Sequence, residues 1–230
     1  MTNPVKLNVL QKYGEANAQH YFRRCQGDAV RRLSHWRDEQ LARKALVLAG
    51  EPTTVLDLPC GLGRSWRLLA EKANRVIIAA DSSAVILQTA CDSQPLAVVK
   101  RIRTLQISLF DIELPENSVD CIFCMHLLHH IGDARHRAAL LEQLNRVTRD
   151  TVIISLWVDG NFSAWKRKRQ EQLRLAQGKQ SGHQNCFVIP VKIAESEFVQ
   201  AGFDIQNRLN FLPLYAMWRV YVLRKKMEPE

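Results

Sequence analysis

Apolar positions after Gly50 follow two patterns that alternate along the chain. Unbroken apolar runs, such as VIIAA at 76–80 and VIISLW at 152–157, stand between segments with apolar residues at helical spacing. Strands that alternate with helices indicate a parallel sheet with helices on both faces, and strands buried on both faces are continuously apolar. The pattern therefore predicts an α/β fold with a mostly parallel sheet.

The bounds of the predicted elements follow from the same pattern. Strands are predicted at 53–58, 75–81, 98–108, 119–125 and 151–157, and helices at 64–73, 82–94 and about 133–149. A short helix in 195–203 stops at Gly202, and two more strands are predicted at 204–214 and 217–226. Too few residues separate these last strands for a helical crossover, so they are expected to pair antiparallel. We predict a doubly wound, Rossmann-like sheet of seven strands that ends in an antiparallel hairpin.

The first fifty residues form a helical region of their own in this interpretation. Residues 28–49 carry apolar side chains at helical spacing, and Gly50 stops the helix. The stretch 13–22, which is rich in aromatic residues, is expected to form a shorter helix. We therefore divide the chain into an N-terminal helical cap, 1–50, and a main domain, 51–230.

Length and composition are those of an ordinary globular protein. The 230 residues suffice for one domain with a full core, and 47% hydrophobic and 24% charged residues are typical of soluble chains. No apolar run reaches the roughly 18–20 residues that span a bilayer. The N-terminus lacks the basic-then-apolar layout of a signal peptide. A cytoplasmic protein without a transmembrane segment is expected.

The cysteines do not indicate a metal site at this stage. Cys121 and Cys124 form a C-x-x-C pair, but they fall in an apolar strand, where positions three apart point to opposite faces. No second C-x-x-C or His pair completes a zinc site. All cysteines, including Cys25, Cys91 and Cys186, are therefore interpreted as buried and reduced, and no metal is expected.

The positive charge is unevenly distributed. The formal net charge is +9, and residues 161–180 contain six Lys or Arg residues against one Glu. We interpret the segment at about 160–185 as a basic lid that attracts an anionic acceptor. A solvated basic face is an equally good interpretation of the same residues.

The loop after the first predicted strand carries the first candidate chemistry. The strand ends on Asp57, and the chain continues as LPCGLGR to Arg64. In open α/β sheets, ligands bind beyond the carboxyl ends of the strands. Gly61 and Gly63 let the backbone approach a ligand and adopt positive φ, and the next helix offers free N–H groups to an anion. An ordinary tight strand-to-helix turn is the alternative.

Two further acids follow later strands. Asp81 ends the second strand, where its carboxylate is suited to accept both hydroxyls of a ribose, and a helix N-cap is the alternative. Asp111 stands between Phe110 and Ile112, so it is suited to bond an adenine amino group while its neighbours cover the ring. A solvated turn acid is the alternative there. Three acids at successive strand ends together favour a nucleoside-containing ligand.

These motifs resemble those of a known family. The stretch from about 53 to 157 resembles class I S-adenosylmethionine-dependent methyltransferases, in the broad group of the UbiE and phospholipid methyltransferases. VLDLPCGLG resembles the glycine-rich first motif, and VIIAADSS resembles the segment with the ribose-binding acid. LFDIELPENSVDCIFCMHLLHHI resembles the stretch from the adenine-contacting acid to a His-His ending, and the C-terminal hairpin matches more loosely. Pro59 and Cys60 depart from the more usual Gly-x, so hydrogen bonds of this loop must come from later residues.

The resemblance implies S-adenosyl-L-methionine as the cofactor. A nicotinamide-binding loop fits less well, because its G-x-G-x-x-G spacing would require glycine where Trp66 stands. The cofactor-binding residues carried over from the motifs are Asp57, Pro59, Gly61, Gly63, Arg64, Asp81, Ser82, Asp111, Ile112 and Met125.

Histidines after the fourth strand are the candidates for catalysis. A sulfonium methyl group is already activated, so a base is needed only if the acceptor must lose a proton. His126 and His129 are the candidate catalytic residues. In the resembling family a His-His pair often starts the following helix without acting as a base, so a structural role is favoured for His129 and His130. His126 replaces a residue that is commonly smaller or apolar, which makes it the stronger acceptor-side candidate.

The favoured function is methyl transfer to a small molecule or to an anionic lipid- or saccharide-type acceptor. An RNA methyltransferase that uses its basic segments to contact phosphates is the alternative. It is weakened because neither an added RNA-binding module nor an Asn-Pro-Pro-Tyr-type motif is visible. A non-catalytic binding protein is disfavoured by the intact acids and glycines. The basic charge also leaves peripheral contact with a membrane surface open.

Overall fold

A seven-stranded sheet forms the centre of the computed structural model, which describes residues 29–178 and 186–226. The strands are β1 Thr54–Asp57, β2 Val76–Asp81, β3 Ile102–Gln106, β4 Val119–Cys124, β5 Thr148–Trp157, β6 Phe203–Asn210 and β7 Trp218–Lys225. Their order across the sheet is β3-β2-β1-β4-β5-β7-β6. The predicted number of strands and the α/β class are confirmed.

Helices cover both faces of the sheet. They are α1 Ala29–Leu48, α2 Trp66–Leu69, α3 Ala84–Ser93, α4 Leu96–Val99, α5 Ala134–Val147, α6 Phe162–Ala176 and α7 Val191–Gln200, with a 3-10 turn at Leu128–His130. Helix α1 confirms the helix predicted at 28–49, whereas the shorter helix predicted at 13–22 lies outside the described residues. Within 29–178 and 186–226, none of the helices has the length and hydropathy that crossing a bilayer requires.

The winding of the sheet reverses at β1. This strand pairs parallel with β2 on one side and with β4 on the other, so the connections leave it in opposite directions. A crevice opens at the carboxyl ends of strands where such a reversal occurs. At the far edge, β7 pairs antiparallel with both β5 and β6, which confirms the predicted hairpin.

The core consists of two apolar layers, one on each face of the sheet. Leu56 and Ile122 point to the face covered by α5 and α7, while Val55 and Phe123 point to the face covered by α1. Neighbouring strand residues alternate between these layers, as the pleat requires. Helix α1 contacts β6 and β7 and belongs to the same core layer as Val55 and Phe123.

The cysteine predictions are confirmed in part. Cys121 and Cys124 are buried, free, and packed into opposite layers of the core. Cys91 and Cys186 are free but only partly buried, so the prediction of burial is wrong for these two. Cys91 lies on a partly exposed part of α3, and Cys186 lies in an irregular segment before α7. Cys25 lies outside the described residues.

Helix α2 is shorter than predicted. It ends at Leu69, and the carbonyls of the residues after it accept hydrogen bonds from the Arg101 side chain. The guanidinium donates to the carbonyl oxygens of Ala70, Lys72 at 2.8 Å and Ala73 at 3.1 Å. A distant arginine thus supplies hydrogen bonds to the carbonyls beyond the helix end, and the local sequence contains no signal for it.

The start of β3 was also predicted wrongly. Residues 96–99 form helix α4, and the strand begins only at Ile102. Pro95 precedes the helix with φ −58°, and its carbonyl accepts from the backbone N–H groups of Val98 and Val99. A proline with this φ favours a helical turn directly after it, which overrides the strand preference of the two valines.

Candidate active site

A cavity opens beyond the carboxyl ends of β1, β2 and β4, where the sheet order predicts a ligand site. Its wall is formed by the loop after β1, the last residue of β2 and the chain that follows β4. The lining residues are Asp57, Pro59, Cys60, Gly61, Leu62, Arg64, Ser65, Asp81, Ile86, Met125, His126, Leu127 and His130. We call this space the cofactor cavity.

The glycine loop has the conformation that the sequence predicts. Gly61 and Gly63 have φ values of +50° and +70°, a region that side-chain-bearing residues rarely adopt. A Cβ on Gly63 would lie 2.7 Å from the indole of Trp66, which is fully buried beneath the loop. The loop is tied to β2 by the hydrogen bond from the Cys60 N–H to the Ala80 carbonyl at 2.8 Å.

Asp57 is a buried carboxylate without a standard hydrogen bond at one oxygen. It is 2% exposed, and its Oδ2 has no partner among the described residues. Burial and the negative charge of Asp81 raise its pKa well above the ordinary value, and the nearby Trp66 indole opposes this only in part. The indole nitrogen itself also lacks a hydrogen bond of normal geometry. A buried acceptor that lines an open cavity is suited to a ligand carrying N–H or O–H donors.

Asp81 is equally buried but better satisfied. One of its oxygens accepts from the Gly61 N–H at 3.2 Å and the other from the Ser83 N–H at 3.2 Å. Burial raises its pKa, and these backbone hydrogen bonds partly oppose the increase. The N-cap of α3 is Ser83, whose hydroxyl accepts from the Ile86 N–H at 3.4 Å. Asp81 is therefore not required as the cap, and its remaining lone pairs are directed to the cavity that it lines.

The structure brings most of the predicted cofactor residues together. Asp57, Pro59, Gly61, Arg64, Asp81 and Met125 all line the cofactor cavity. Gly63 and Ser82 support the loop or the turn beside it without lining the cavity. Asp111 is exposed, and Ile112 is buried in the core with its N–H bonded to Gln143 Oε1 at 3.3 Å. Neither of them lines the cavity, so the predicted contact of Asp111 with adenine has no support in its position.

His126 is held in a strained backbone conformation at the edge of this cavity. Its φ is +62°, uncommon for a residue other than glycine, and its N–H donates to Ser155 Oγ at 2.9 Å. The imidazole stacks on Trp218 with ring centroids 4.3 Å apart. Its Nε2 lies 2.9 Å from Asp38 Oδ2. Two contacts therefore fix the ring, and a third fixes the backbone of the same residue.

Asp38, in helix α1, is a functional candidate that the sequence did not reveal. Its Oδ1 accepts from the Trp218 indole at 3.0 Å, and its Oδ2 contacts Arg64 at 3.4 Å as well as His126. Burial alone would raise the pKa of Asp38, but the hydrogen bond and charge of His126, with Arg64 and Trp218, lower it. Asp38 is thus an anion at neutral pH. In the sequence it resembles any acid on a polar helix face.

A second cavity adjoins the first, and His126 lies on the wall of both. Its lining residues are Ser34, Asp38, His126, His129, Trp157, Ser163, Phe211, Ala216, Met217 and Trp218. We call it the acceptor cavity. Helix α1, the end of β5 and the β6–β7 turn all contribute to it, and its walls are largely aromatic.

His129 belongs to the acceptor cavity rather than to the cofactor cavity. It is 5% exposed and stacks on Trp157 at 4.7 Å, with Trp218 at its edge. Burial, with the electrostatic influence of the neighbouring His130, His126 and Arg167, lowers its pKa to about 2. The ring is neutral at physiological pH and held by aromatic packing. The structural role predicted for His129 agrees with this environment.

Comparison with known proteins places these features in a class. Residues 55–151 match the family model described as "Methyltransferase domain". The tRNA U34 carboxymethyltransferase of Alteromonas mediterranea is 30% identical over 136 residues, which cover 56% of this chain and 39% of that protein. The cycloartenol-C-24-methyltransferase of Arabidopsis thaliana is 25% identical over 124 residues, which cover 54% of this chain and 36% of that protein. The chain thus spans little more than a third of the length of these relatives.

A solved structure agrees over nearly the whole chain. The magnesium protoporphyrin IX methyltransferase of Synechocystis, with bound SAH, matches with a TM-score of 0.75 at 16% identity, covering 96% of this chain and 100% of that chain. The fold is therefore that of the class I, S-adenosylmethionine-dependent methyltransferases. Residues 55–151 are the part of the chain that matches the methyltransferase-domain model. The narrower UbiE-type group remains a prediction.

Proposed function

We propose that the protein transfers a methyl group from S-adenosylmethionine to a small-molecule acceptor that binds in the acceptor cavity. The observation that carries this proposal is the pair of buried carboxylates, Asp57 and Asp81, at a glycine loop inside the matched domain. Two buried carboxylates without full hydrogen bonding lower the stability of the folded state, unless a ligand donates hydrogen bonds to them. S-adenosylmethionine carries an amino group and two ribose hydroxyls, which fit these acceptors.

The cofactor-side residues have separate roles in this proposal. Asp81 accepts the ribose hydroxyls, and Asp57 provides an acceptor for a donor at the other side of the loop. Gly61 leaves the backbone bare beside the ligand, and Arg64 supplies a cation for the carboxylate. When bound, the cofactor supplies an electrophilic methyl group on a sulfonium. Rate enhancement then depends on alignment of the acceptor and exclusion of water.

His126 is the proposed general base. Asp38 accepts a hydrogen bond at Nε2, which fixes the proton on that nitrogen and leaves the lone pair on Nδ1. The Nδ1 atom can then take a proton from the acceptor, and the carboxylate stabilises the imidazolium that results. The shared wall of the two cavities is where such a base is required.

The acceptor is proposed to contain a flat apolar group and a negative charge. Trp157, Phe211 and Trp218 give the acceptor cavity aromatic walls, which favour stacking against a planar or apolar group. The basic helix α6 stands beside the same cavity through Ser163, and its positive charge favours an anion. In this proposal residues 1–50 act as a helical cap, since α1 contributes Asp38, and the segment at about 160–185 acts as a lid.

Methylation of RNA is the second candidate. The net charge of +9 and the likeness to a tRNA-modifying enzyme favour it. Contacts with phosphates would make binding fall steeply with salt. Retention on RNA that disappears between low and moderate salt would support this candidate, and no retention at low salt would exclude it.

A screen for methyl acceptors tests the proposal. The purified protein is incubated with S-adenosylmethionine labelled in the methyl group and with fractionated cell extracts, before and after ribonuclease treatment. We expect label in a small-molecule fraction that survives ribonuclease. Label that disappears with the nuclease would support the RNA candidate, and no cofactor binding by calorimetry would contradict both.

A further inference from the structure

Three potential metal ligands converge behind the acceptor cavity. One side-chain donor atom from each of His129, His130 and Cys186 lies within 4.8 Å of the other two. His130 Nδ1 and Cys186 Sγ are 3.5 Å apart. The two histidines follow β4, and the cysteine comes from the segment between α6 and α7, so the cluster joins two distant parts of the chain.

The distance between the imidazole and the thiol is that of two ligands on one zinc ion. Zinc–sulfur and zinc–nitrogen bonds of about 2.3 and 2.0–2.1 Å at a tetrahedral angle separate the two ligand atoms by about 3.5 Å. The His129–His130 ring centroids are 4.1 Å apart, and a donor atom of His129 lies within 4.8 Å of the other two ligand atoms. A thiol that hydrogen-bonds to an imidazole would show the same separation, and the experiment below distinguishes the two cases.

The backbone around the cluster holds the three residues in place. The Phe187 N–H donates to the His129 carbonyl at 2.7 Å, directly beside Cys186. The Phe187 ring packs against Gly132 so closely that a Cβ there would lie 2.6 Å from it. Arg167 donates to the Cys186 carbonyl at 2.8 Å. These contacts fix the backbone on both sides of the cluster, so the ligands need little reorganisation to bind an ion.

The donor atoms of the cluster suit a metal that prefers nitrogen and sulfur. His129 Nδ1 is buried without a hydrogen-bond partner among the described residues, so this nitrogen is available to bind a metal ion. Burial raises the pKa of the Cys186 thiol, and the Arg167 guanidinium, which lies 5.0 Å above the Trp157 ring, opposes this increase in part. Two imidazoles and one thiolate match zinc, and harder ions such as magnesium prefer oxygen.

We propose that His129, His130 and Cys186 form a site for a zinc ion, with a fourth position open to water or an acceptor atom. The ion links the segment after the basic helix α6 to the residues that follow β4. Since His130 lines the cofactor cavity, the ion also fixes part of that wall. This inference does not depend on the identity of the methyl acceptor.

Spectroscopy of the cobalt-substituted protein tests the site. Full-length protein is freed of metal with a chelator and titrated with Co²⁺, then with Zn²⁺ in competition. We expect about one Co²⁺ per chain, tetrahedral visible bands, a thiolate-to-cobalt charge-transfer band, and displacement by Zn²⁺. Cys186→Ser should abolish the charge-transfer band and weaken Zn²⁺ binding by about tenfold or more. Cys91→Ser, which changes a free cysteine outside the cluster, should leave both unchanged.

A second measurement covers the case in which the variant fails to fold. In the wild-type protein, Zn²⁺ should slow alkylation of Cys186 by iodoacetamide while Cys91 reacts at an unchanged rate, as mass spectrometry of both peptides reports. A cobalt spectrum without a thiolate band, or alkylation of Cys186 unaffected by Zn²⁺, would overturn the proposal and leave a thiol–imidazole hydrogen bond. Cofactor binding, measured separately by calorimetry, shows whether the methyltransferase assignment stands in either case.

Discussion

The two adjoining cavities are built in contrasting ways. The cofactor cavity is formed by the ends of neighbouring strands and by one short loop, and its two main carboxylates are buried with raised pKa values. The acceptor cavity combines helix α1, the end of β5 and the β6–β7 turn, and its carboxylate, Asp38, has a lowered pKa because it is paired. The carboxylates of the cofactor cavity lack part of their hydrogen-bond donors, which a ligand can provide. The carboxylate of the acceptor cavity already has donors from the protein.

This contrast shows where stability and function oppose each other. Buried acids without full partners weaken the folded state until a ligand binds. Paired acids strengthen it and hold a reactive group in place. The four predictions below test whether the two cavities differ in this way, beginning with the largest expected effect.

Substitution of His126 should reduce turnover most. His126→Asn keeps a residue that tolerates the left-handed backbone but removes the base, so kcat should fall about 100-fold or more. The cofactor Kd from calorimetry should change by less than about twofold. His136→Asn, in a histidine outside both cavities, serves as the control and should behave like wild type. A normal kcat in His126→Asn would show that methyl transfer here needs no base from this position.

Substitution of Asp81 should act mainly on cofactor binding. Asp81→Asn removes charged hydrogen bonds to hydroxyls, each worth about 1.5–3 kcal/mol, so the Kd should rise by about 100-fold. Asp111→Asn is the matched control, because Asp111 is exposed and lies away from the cavity. Equal losses in the two variants would mean that adenine contacts Asp111 as the sequence pattern predicts.

The two loop glycines should respond differently to alanine. Both have positive φ, but only the Gly63 position places a Cβ against the buried Trp66. Gly63→Ala should therefore lower the free energy of unfolding by about 2–4 kcal/mol, and Gly61→Ala by about 1 kcal/mol. Gly61→Ala should weaken cofactor binding more than its stability loss explains, because Gly61 lines the cavity. Urea unfolding and calorimetry on both variants check this order, and the reverse order would contradict the placement of Trp66.

The carboxylates of the two cavities should give opposite dependences of stability on pH. Burial and Asp81 raise the pKa of Asp57, so its ionised form costs free energy above the folded pKa, and the cost vanishes below its unfolded pKa of about 3.9. Asp57→Asn should therefore stabilise the ligand-free protein by about 1–3 kcal/mol at neutral pH, with a smaller gain in acid.

Asp38 should give the opposite dependence of stability on pH. Its lowered pKa contributes stability above about pH 3.9 that is lost as pH falls through the folded pKa. Asp38→Asn should destabilise the protein by about 1–3 kcal/mol at neutral pH, and the difference from wild type should shrink below about pH 4. Urea unfolding of both variants across this range is the measurement. Changes of the same sign at neutral pH would remove the contrast between the cavities.

The cofactor side was largely predictable because its residues are close in sequence or repeat at strand ends. Asp57, Gly61 and Asp81 follow apolar strands, and parallel strands bring their carboxyl ends to one edge. The position of Asp111 was not predictable in the same way. It follows an irregular stretch after β3, where no strand geometry directs the side chain to the crevice.

The arrangement of the acceptor cavity could not be predicted from the sequence. Asp38 and Trp218 meet only because α1 packs on the face of the sheet that β7 completes. A helical period shows that α1 has a polar face, but not that this face lies over a cavity. His126 could be singled out, whereas its partner could not.

One oxygen of Asp38 contacts two side chains that belong to different cavities. Arg64 reaches it from the glycine loop at 3.4 Å and His126 reaches it from the shared wall at 2.9 Å. A ligand carboxylate that draws Arg64 away leaves this oxygen to the imidazole alone. Steady-state kinetics would then follow a compulsory order, in which the sulfonium compound enters first and its arrival prepares the base for the second substrate.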